Sequence, residues 1–181
     1  MRRVNSRKPK SDSGAAAATP EKMRERTFQH AAKLLAAKPR SIAELRERLL
    51  ERPSTTREIV ETVIARLREY GYLDDERFAV GYAQWKVKQR PIGRRRLERE
   101  LTMKKVDRSV ADEALNQVYE ETPEEDLINQ AVEKRVRLRG SPKTRAEAKS
   151  LFDHLLRQGF PFELVSDKVR AASRIDLEET E

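Results

Sequence analysis

A long-range repeat of apolar positions constrains the fold of this 181-residue chain more than any other feature. Adding 51 and then 54 to a position number aligns three segments, so that Ile59 corresponds to Val110 and then to Leu164. The apolar match fails only at Lys168. Self-similarity at a period near fifty residues is typical of repeat proteins whose neighbouring units share contacts. The spacing therefore predicts three tandem units over 20–70, 71–121 and 122–174, arranged as an elongated array.

Helix-start signals divide each unit into three. Four pairs have a hydroxyl residue followed three positions later by glutamate, a capping-box pattern: Ser41 with Glu44, Thr55 with Glu58, Thr122 with Glu125, and Thr144 with Glu147. Asp74 and Asp107 are simple caps, and prolines mark further starts. The pattern predicts an all-α fold of nine helices, over about 20–37, 41–51, 56–70, 75–89, 92–104, 108–121, 123–139, 145–158 and 161–173.

The two ends of the chain lack this periodicity. Residues 1–19 mix basic and small residues and predict a disordered basic arm, and residues 175–181 form an acidic tail. No stretch of about eighteen apolar residues is present, so we expect no membrane span. The absence of cysteine suits a reducing compartment and predicts a cytoplasmic protein.

Charge points to an anionic partner, since 39 Lys and Arg face 31 Asp and Glu, for a net charge of +8. Two basic clusters stand out. The middle cluster contains Lys86, Lys88, Arg90, Arg94, Arg95, Arg96 and Arg99, and the third cluster contains Arg135, Arg137, Arg139 and Lys143 around a Gly-Ser-Pro loop. Both are predicted to bind phosphate or acidic protein, either as one discontinuous stripe or as separate faces. The alternative is that each is an ordinary solvated surface.

Three aromatic residues directly precede the middle cluster. Phe78, Tyr82 and Trp85 have the spacing of one helix face, which predicts burial in the core. Aromatic side chains beside cations can also stack on the bases of single-stranded DNA, which is the alternative interpretation.

Catalytic arrangements are missing from the sequence. His30 and His154 are isolated, and there is no HExxH motif or phosphate-binding loop. Asp74, Asp75 and Glu76 fit the start of a helix better than a metal cage, because adjacent acids on one turn do not converge on an ion. We predict a protein without enzymatic activity, bound metal or cofactor.

Several segments resemble the RecX family of bacterial RecA modulators. The resemblance covers about residues 24–173, and its most specific part is Gly71-Tyr72-Leu73-Asp74-Asp75-Glu76-Arg77-Phe78-Ala79. Further segments are similar to the family's three repeats: Lys38-Pro39-Arg40-Ser41 in the first, Gly93 with Leu97 and Leu101 in the second, and Gln158-Gly159-Phe160 in the third. The chain departs from the family pattern at Arg52-Pro53 and at Lys104-Lys105-Val106, where Lys-Gly precedes an apolar residue in the family.

The resemblance implies a curved array of three-helix repeats in the groove of the RecA filament on single-stranded DNA. It also implies a regulator that restrains the ATPase and strand exchange of RecA, and we expect it to act as a monomer. The alternative is an independent helical DNA-binding protein, which would bind DNA tightly without affecting RecA.

Overall fold

The structure, a computed structural model, describes residues 19–53 and 55–173. Throughout these residues the regular secondary structure is α-helical, which confirms the predicted fold class. The basic arm and the acidic tail lie outside the described residues, apart from Thr19. Within the described ranges the nine helices are α1 (Pro20–Ala37), α2 (Ile42–Leu50), α3 (Arg57–Glu69), α4 (Asp75–Gln89), α5 (Arg94–Met103), α6 (Arg108–Glu121), α7 (Glu124–Arg139), α8 (Arg145–Gln158) and α9 (Phe162–Ala172).

The helices pack in consecutive groups of three. The main contacts join α1, α2 and α3 to one another, then α4 and α5 to α6, and then α7, α8 and α9. We call these groups modules 1, 2 and 3. Within each module every helix packs its apolar face against at least one of the other two helices, which is how short amphipathic helices become stable.

Side-chain caps fix most helix starts where the sequence predicted them. Ser41, Asp74, Asp107 and Thr144 each accept a hydrogen bond from a backbone N–H of the following turn. Only Thr144 forms the complete box, in which the Glu147 carboxylate accepts from the Thr144 N–H in return. These hydroxyl and carboxylate oxygens satisfy donors that a helix cannot satisfy itself.

Two predicted caps are wrong. The cap of α3 is Thr56 rather than Thr55, and its hydroxyl accepts from the Ile59 N–H at 3.4 Å. Thr122 does not cap α7, because Pro123 occupies the cap position and no side chain caps that end. The acidic first turn that begins at Glu124 complements the positive end of the helix dipole instead.

Three helices end in the same left-handed turn. Gly71 (φ 68°) ends α3, Gly159 (φ 95°) ends α8, and Lys105 (φ 58°) ends α5. In all three the following N–H bonds back five residues, as in Val106 N to Leu101 O at 3.2 Å. The departure at Lys105 therefore leaves the turn intact, although a lysine occupies a conformation that favours glycine.

In the part of the chain that the structure describes, the buried side chains form two separate cores. Module 1 has its own core, built on residues such as Leu45, Leu49 and Val60 and closed by Leu73. Modules 2 and 3 share one continuous core that runs from Phe78 to Val169. Apolar packing is therefore continuous between modules 2 and 3 but not between modules 1 and 2.

Candidate functional site

Three of the seven cations in the middle cluster are paired with one carboxylate. Glu100 on α5 has a side chain only 12% exposed, and it lies 2.6 Å from Lys86 Nζ, 3.4 Å from Arg96 Nε and 3.8 Å from an Arg90 nitrogen. The Tyr82 hydroxyl donates to the same group at 2.8 Å. Burial acts to raise the pKa of Glu100, but the hydrogen bonds from Lys86 and Tyr82 outweigh it and the pKa is lowered.

Arg94 and Arg96 join modules 2 and 3. The Arg94 backbone N–H donates to Glu124 at 2.6 Å, and its guanidinium lies 3.9 Å from Asp112. Arg96 reaches the Gln158 side-chain oxygen at 3.2 Å. The Arg94 backbone and the Arg96 side chain therefore hold modules 2 and 3 together, whereas the Arg94 guanidinium is paired within module 2.

Three members of the middle cluster are both exposed and without an ion pair among the described residues. Lys88, Arg95 and Arg99 are exposed, and none of them forms an ion pair with a residue that the structure describes. Arg95 and Arg99 lie on the outer side of α5, opposite the buried Leu97 and Leu101. The sequence indicated this exposed side, but it did not separate these side chains from the paired Arg96.

The third cluster differs because none of its cations pairs with a carboxylate of the described residues. Arg137, Arg139 and Lys143 are exposed, and Arg135 is half-buried with a hydrogen bond to Ser150 Oγ at 3.2 Å. Across residues 19–53 and 55–173, no ion pair involves any of these four cations. Their positive charge is thus available to an external anion.

The cations of this cluster contribute to a lowered pKa at a neighbouring histidine. The pKa of His154 on α8 is lowered, first by burial and then by the charges of Arg135, Arg157 and Arg139. The pKa of Arg135 is also lowered by burial and by Arg139 and Arg157. Repulsion among these cations raises the free energy of the folded protein, and a bound anion would lower it again.

The aromatic stripe is not a core face along its whole length, and the expectation for Trp85 is wrong. Phe78 is buried and Tyr82 is partly buried, whereas Trp85 is 54% exposed. The reason is that the edge of module 1 stops short of this end of α4. A groove of about 590 Å³ separates them, lined from module 1 by Leu35, Pro39 and Arg40.

The acidic run at the start of α4 has structural roles. Asp74 caps its own helix, and Asp75 accepts from the Ile42 N–H of module 1 at 2.8 Å. Among the described residues no group of three potential ligands could hold a metal ion. In the same part of the chain, no helix combines the length and the apolarity needed to cross a bilayer.

Known proteins share both this fold and this sequence pattern. A family model for the second three-helix domain of RecX matches residues 74–115. The regulatory protein RecX of Streptomyces coelicolor is 30% identical over 149 residues, which span 82% of this chain and 78% of that protein. This chain belongs to the RecX family. The RecX of Treponema pallidum (strain Nichols) is 36% identical over 118 residues, covering 65% of this chain and 71% of the relative.

Crystal structures of RecX proteins share the fold at low sequence identity. RecX from Lactobacillus salivarius superposes with a TM-score of 0.73 at 16% identity, over 84% of this chain and 97% of that one. A second RecX structure gives a TM-score of 0.72 at 20% identity, over 93% of this chain and 81% of that one. The arrangement of the described helices is therefore the architecture of solved RecX proteins.

Proposed function

We propose that this RecX-family chain binds the RecA filament on single-stranded DNA and inhibits the ATPase and strand-exchange activities of RecA. Family membership supports a regulatory role. We choose the third cluster as the binding surface because its four cations have no carboxylate partner in the described chain. Clustered arginines without internal partners suit a phosphate backbone or an acidic protein face.

The two basic clusters have unequal parts in this proposal. Arg135, Arg137, Arg139 and Lys143 form the primary contact, and Lys88 and Arg95 with Arg99 extend it onto module 2. The other four cations of the middle cluster only support that surface, because their side chains are directed at Glu100, Asp112 and Gln158. These four are Lys86, Arg90, Arg94 and Arg96. In such a contact the chain lies along the filament, with its three units at successive positions. These units are 20–70, 71–121 and 122–174.

The cellular setting follows from the same proposal. A regulator of a DNA-bound filament works where the chromosome is, and the absence of cysteine in the sequence suits the cytoplasm. We propose a monomer without catalytic activity, cofactor or metal, because the expected action is steric and electrostatic.

The test is ATP hydrolysis by RecA on single-stranded DNA in the presence of the purified chain. A triple charge reversal, with Arg137, Arg139 and Lys143 each changed to Glu, should raise the concentration needed for inhibition by roughly tenfold or more. The matched control reverses Lys22, Arg24 and Lys33 on α1, which are exposed and give the same change in net charge. The control should inhibit as the wild type does.

The alternative function, an independent DNA-binding protein, predicts a different pattern. In that case the wild-type chain binds an oligonucleotide tightly at moderate salt while ATP hydrolysis by RecA is unchanged. Inhibition that is weakened equally in the two triple variants would also contradict the proposal, since only net charge would then matter. Wild-type inhibition by both variants would contradict the choice of the third cluster. ATP hydrolysis by the chain alone, surviving further purification, would contradict its non-enzymatic nature.

A further inference from the structure

Gly81 is a glycine that the fold itself does not explain. Gly71, Gly140 and Gly159 have positive φ angles, and Gly93 lies directly against the backbone of module 3. Gly81 lies in the middle of α4, where glycine is less stable than alanine, and a Cβ placed there would have no atom within 4 Å. Nothing within the described chain requires the missing side chain.

The surface around Gly81 is an unfilled apolar groove. Trp85 follows one turn later on the same exposed face of α4, and Tyr72, 66% exposed, stands at the start of the groove. Leu35 and Pro39 of module 1 form the opposite wall. The space of about 590 Å³ is large enough for several side chains of a partner.

The rim of this groove is positively charged. Lys38, Arg40, Arg77 and Lys104 line it, and Asp74 is the single acid among the lining residues. Asp74 is already engaged as the cap of α4, and Lys104 is paired with Glu44 at 2.8 Å. Arg40 makes neither an ion pair nor a side-chain hydrogen bond with the described residues, and its Nε–H is shielded from solvent without an acceptor. Because the charge of this guanidinium has no carboxylate partner among these residues, it favours an incoming carboxylate.

We propose that this groove is a docking site for an acidic peptide segment of a partner protein, which packs a large apolar side chain over Gly81 and against Trp85. The missing Cβ lets the partner approach the helix closely. Carboxylates on either side of the apolar residue meet Arg40 and Lys38. This site is distinct from the third cluster, and it does not depend on the proposed inhibition of RecA.

A nucleobase fits the groove less well than an apolar side chain does. The faces of Tyr82 are covered, since Phe78 stacks on it at 5.9 Å between centroids and the ammonium groups of Lys86 and Lys104 lie 5.2 and 5.6 Å from its centre. The ring of Trp85 is tilted 44° from that of Tyr82, and the Lys86 ammonium group lies over it at 5.6 Å from its centre. Base stacking needs an open ring face, whereas an aliphatic side chain can use ring edges.

The acidic end of the chain itself, from Ile175 to Glu181, has a similar composition. It follows α9, which packs in module 3, whereas the groove is lined by modules 1 and 2 alone. We therefore infer that the occupant is a segment of another protein. Truncation after Ser173 tests the internal one.

The experiment begins with selection of a random phage-displayed peptide library on the full-length chain. We expect enriched peptides to carry Asp or Glu on both sides of a large apolar residue. A synthetic peptide from that pool should shift the emission of Trp85 to shorter wavelength, and the chain has a single tryptophan, so the signal comes from the groove. Replacing the apolar residue of the peptide by serine should abolish the shift.

Variants then locate the binding. Gly81→Leu fills the space and should weaken binding of the selected peptide by roughly tenfold or more. Ala146→Leu adds a similar apolar side chain at an exposed position on α8 and should leave the affinity unchanged. Arg40→Gln should also weaken binding. Gly81→Ala should raise the melting temperature by about 2 °C, which shows that α4 tolerates side chains at this position.

Three results would overturn the proposal. The first is a library that yields no acidic–apolar peptide, or one whose binding Gly81→Leu does not weaken. The second is full competition by an oligothymidylate, which would make the groove a nucleic-acid site. The third is a shift of Trp85 emission to longer wavelength when the chain is truncated after Ser173, which would identify its own end as the occupant.

Discussion

Gly93 and Gly159 meet where modules 2 and 3 join. A Cβ on Gly93 would fall 2.3 Å from the carbonyl carbon of Gly159, and a Cβ on Gly159 would fall 2.5 Å from Cβ of Arg96. The Gly93 N–H donates to Gln158 O at 2.9 Å across this contact. The two turns are thus held backbone to backbone, which leaves no room for a side chain.

Gly93→Ala should destabilise the protein by about 2 kcal/mol or more, because the clash is with backbone atoms that cannot rotate away. Thermal unfolding followed by circular dichroism measures the effect. Gly81→Ala is the control, since its Cβ meets no atom. Equal stability of Gly93→Ala and wild type would show that the two modules do not approach as closely as described.

Glu100→Gln should lower the stability of module 2 by about 2 kcal/mol, because Lys86, only 18% exposed, loses its carboxylate partner. Urea unfolding at neutral pH gives the difference. Arg108→Gln is the control, since its pairing with Asp112 is at 3.9 Å on a side chain that is 87% exposed.

The same carboxylate predicts a pH dependence. The pKa of Glu100 is lower in the folded protein than its ordinary value, so its contribution to stability is complete above the unfolded pKa of about 4.3 and is lost as the pH falls through the folded pKa. The difference in stability between wild type and Glu100→Gln should therefore shrink below about pH 4. A difference that stays constant into acid would mean that Glu100 is not the group that titrates.

Lys105→Gly should stabilise the protein relative to Lys105→Ala by about 1 kcal/mol, since a side chain in the left-handed region is strained. Both variants lose the exposed ion pair with Glu47, so that contribution cancels in the comparison. Melting temperatures of the two variants give the result. An alanine variant as stable as the glycine variant would rule out strain at this turn.

Anion binding at the third cluster should raise the pKa of His154. Arg135, Arg157 and Arg139 lower this pKa in the free protein, and a bound phosphate backbone would offset their charge. A proton NMR titration with and without a single-stranded oligonucleotide measures the shift. His30 is the internal control, because the cations that lower its pKa belong to module 1. A pKa shift confined to His30 would place the anion on module 1 and would contradict this prediction.

Local signals in the sequence predicted the helices well, but they could not predict which charges would be paired. Asp74, Asp107 and Thr144 act on their own helix ends, so the positions of these caps could be read directly. The partners of Arg96 include Gln158 of another module, which depends on how modules 2 and 3 meet. Trp85 has the spacing of a core residue, yet module 1 ends before covering it, and no local pattern records that distance.

The separate cores of module 1 and of modules 2 and 3 have a thermodynamic consequence. Polar contacts join them, including Ser41 Oγ to Lys104 O at 2.5 Å and the Lys104–Glu44 ion pair. Apolar burial couples parts of a protein into one cooperative transition, whereas ion pairs that water can reach weaken with added salt. Calorimetry should therefore resolve two unfolding transitions whose temperatures move apart as ionic strength rises. Module 1 should unfold in the first transition, while α4, which carries Trp85, is still folded.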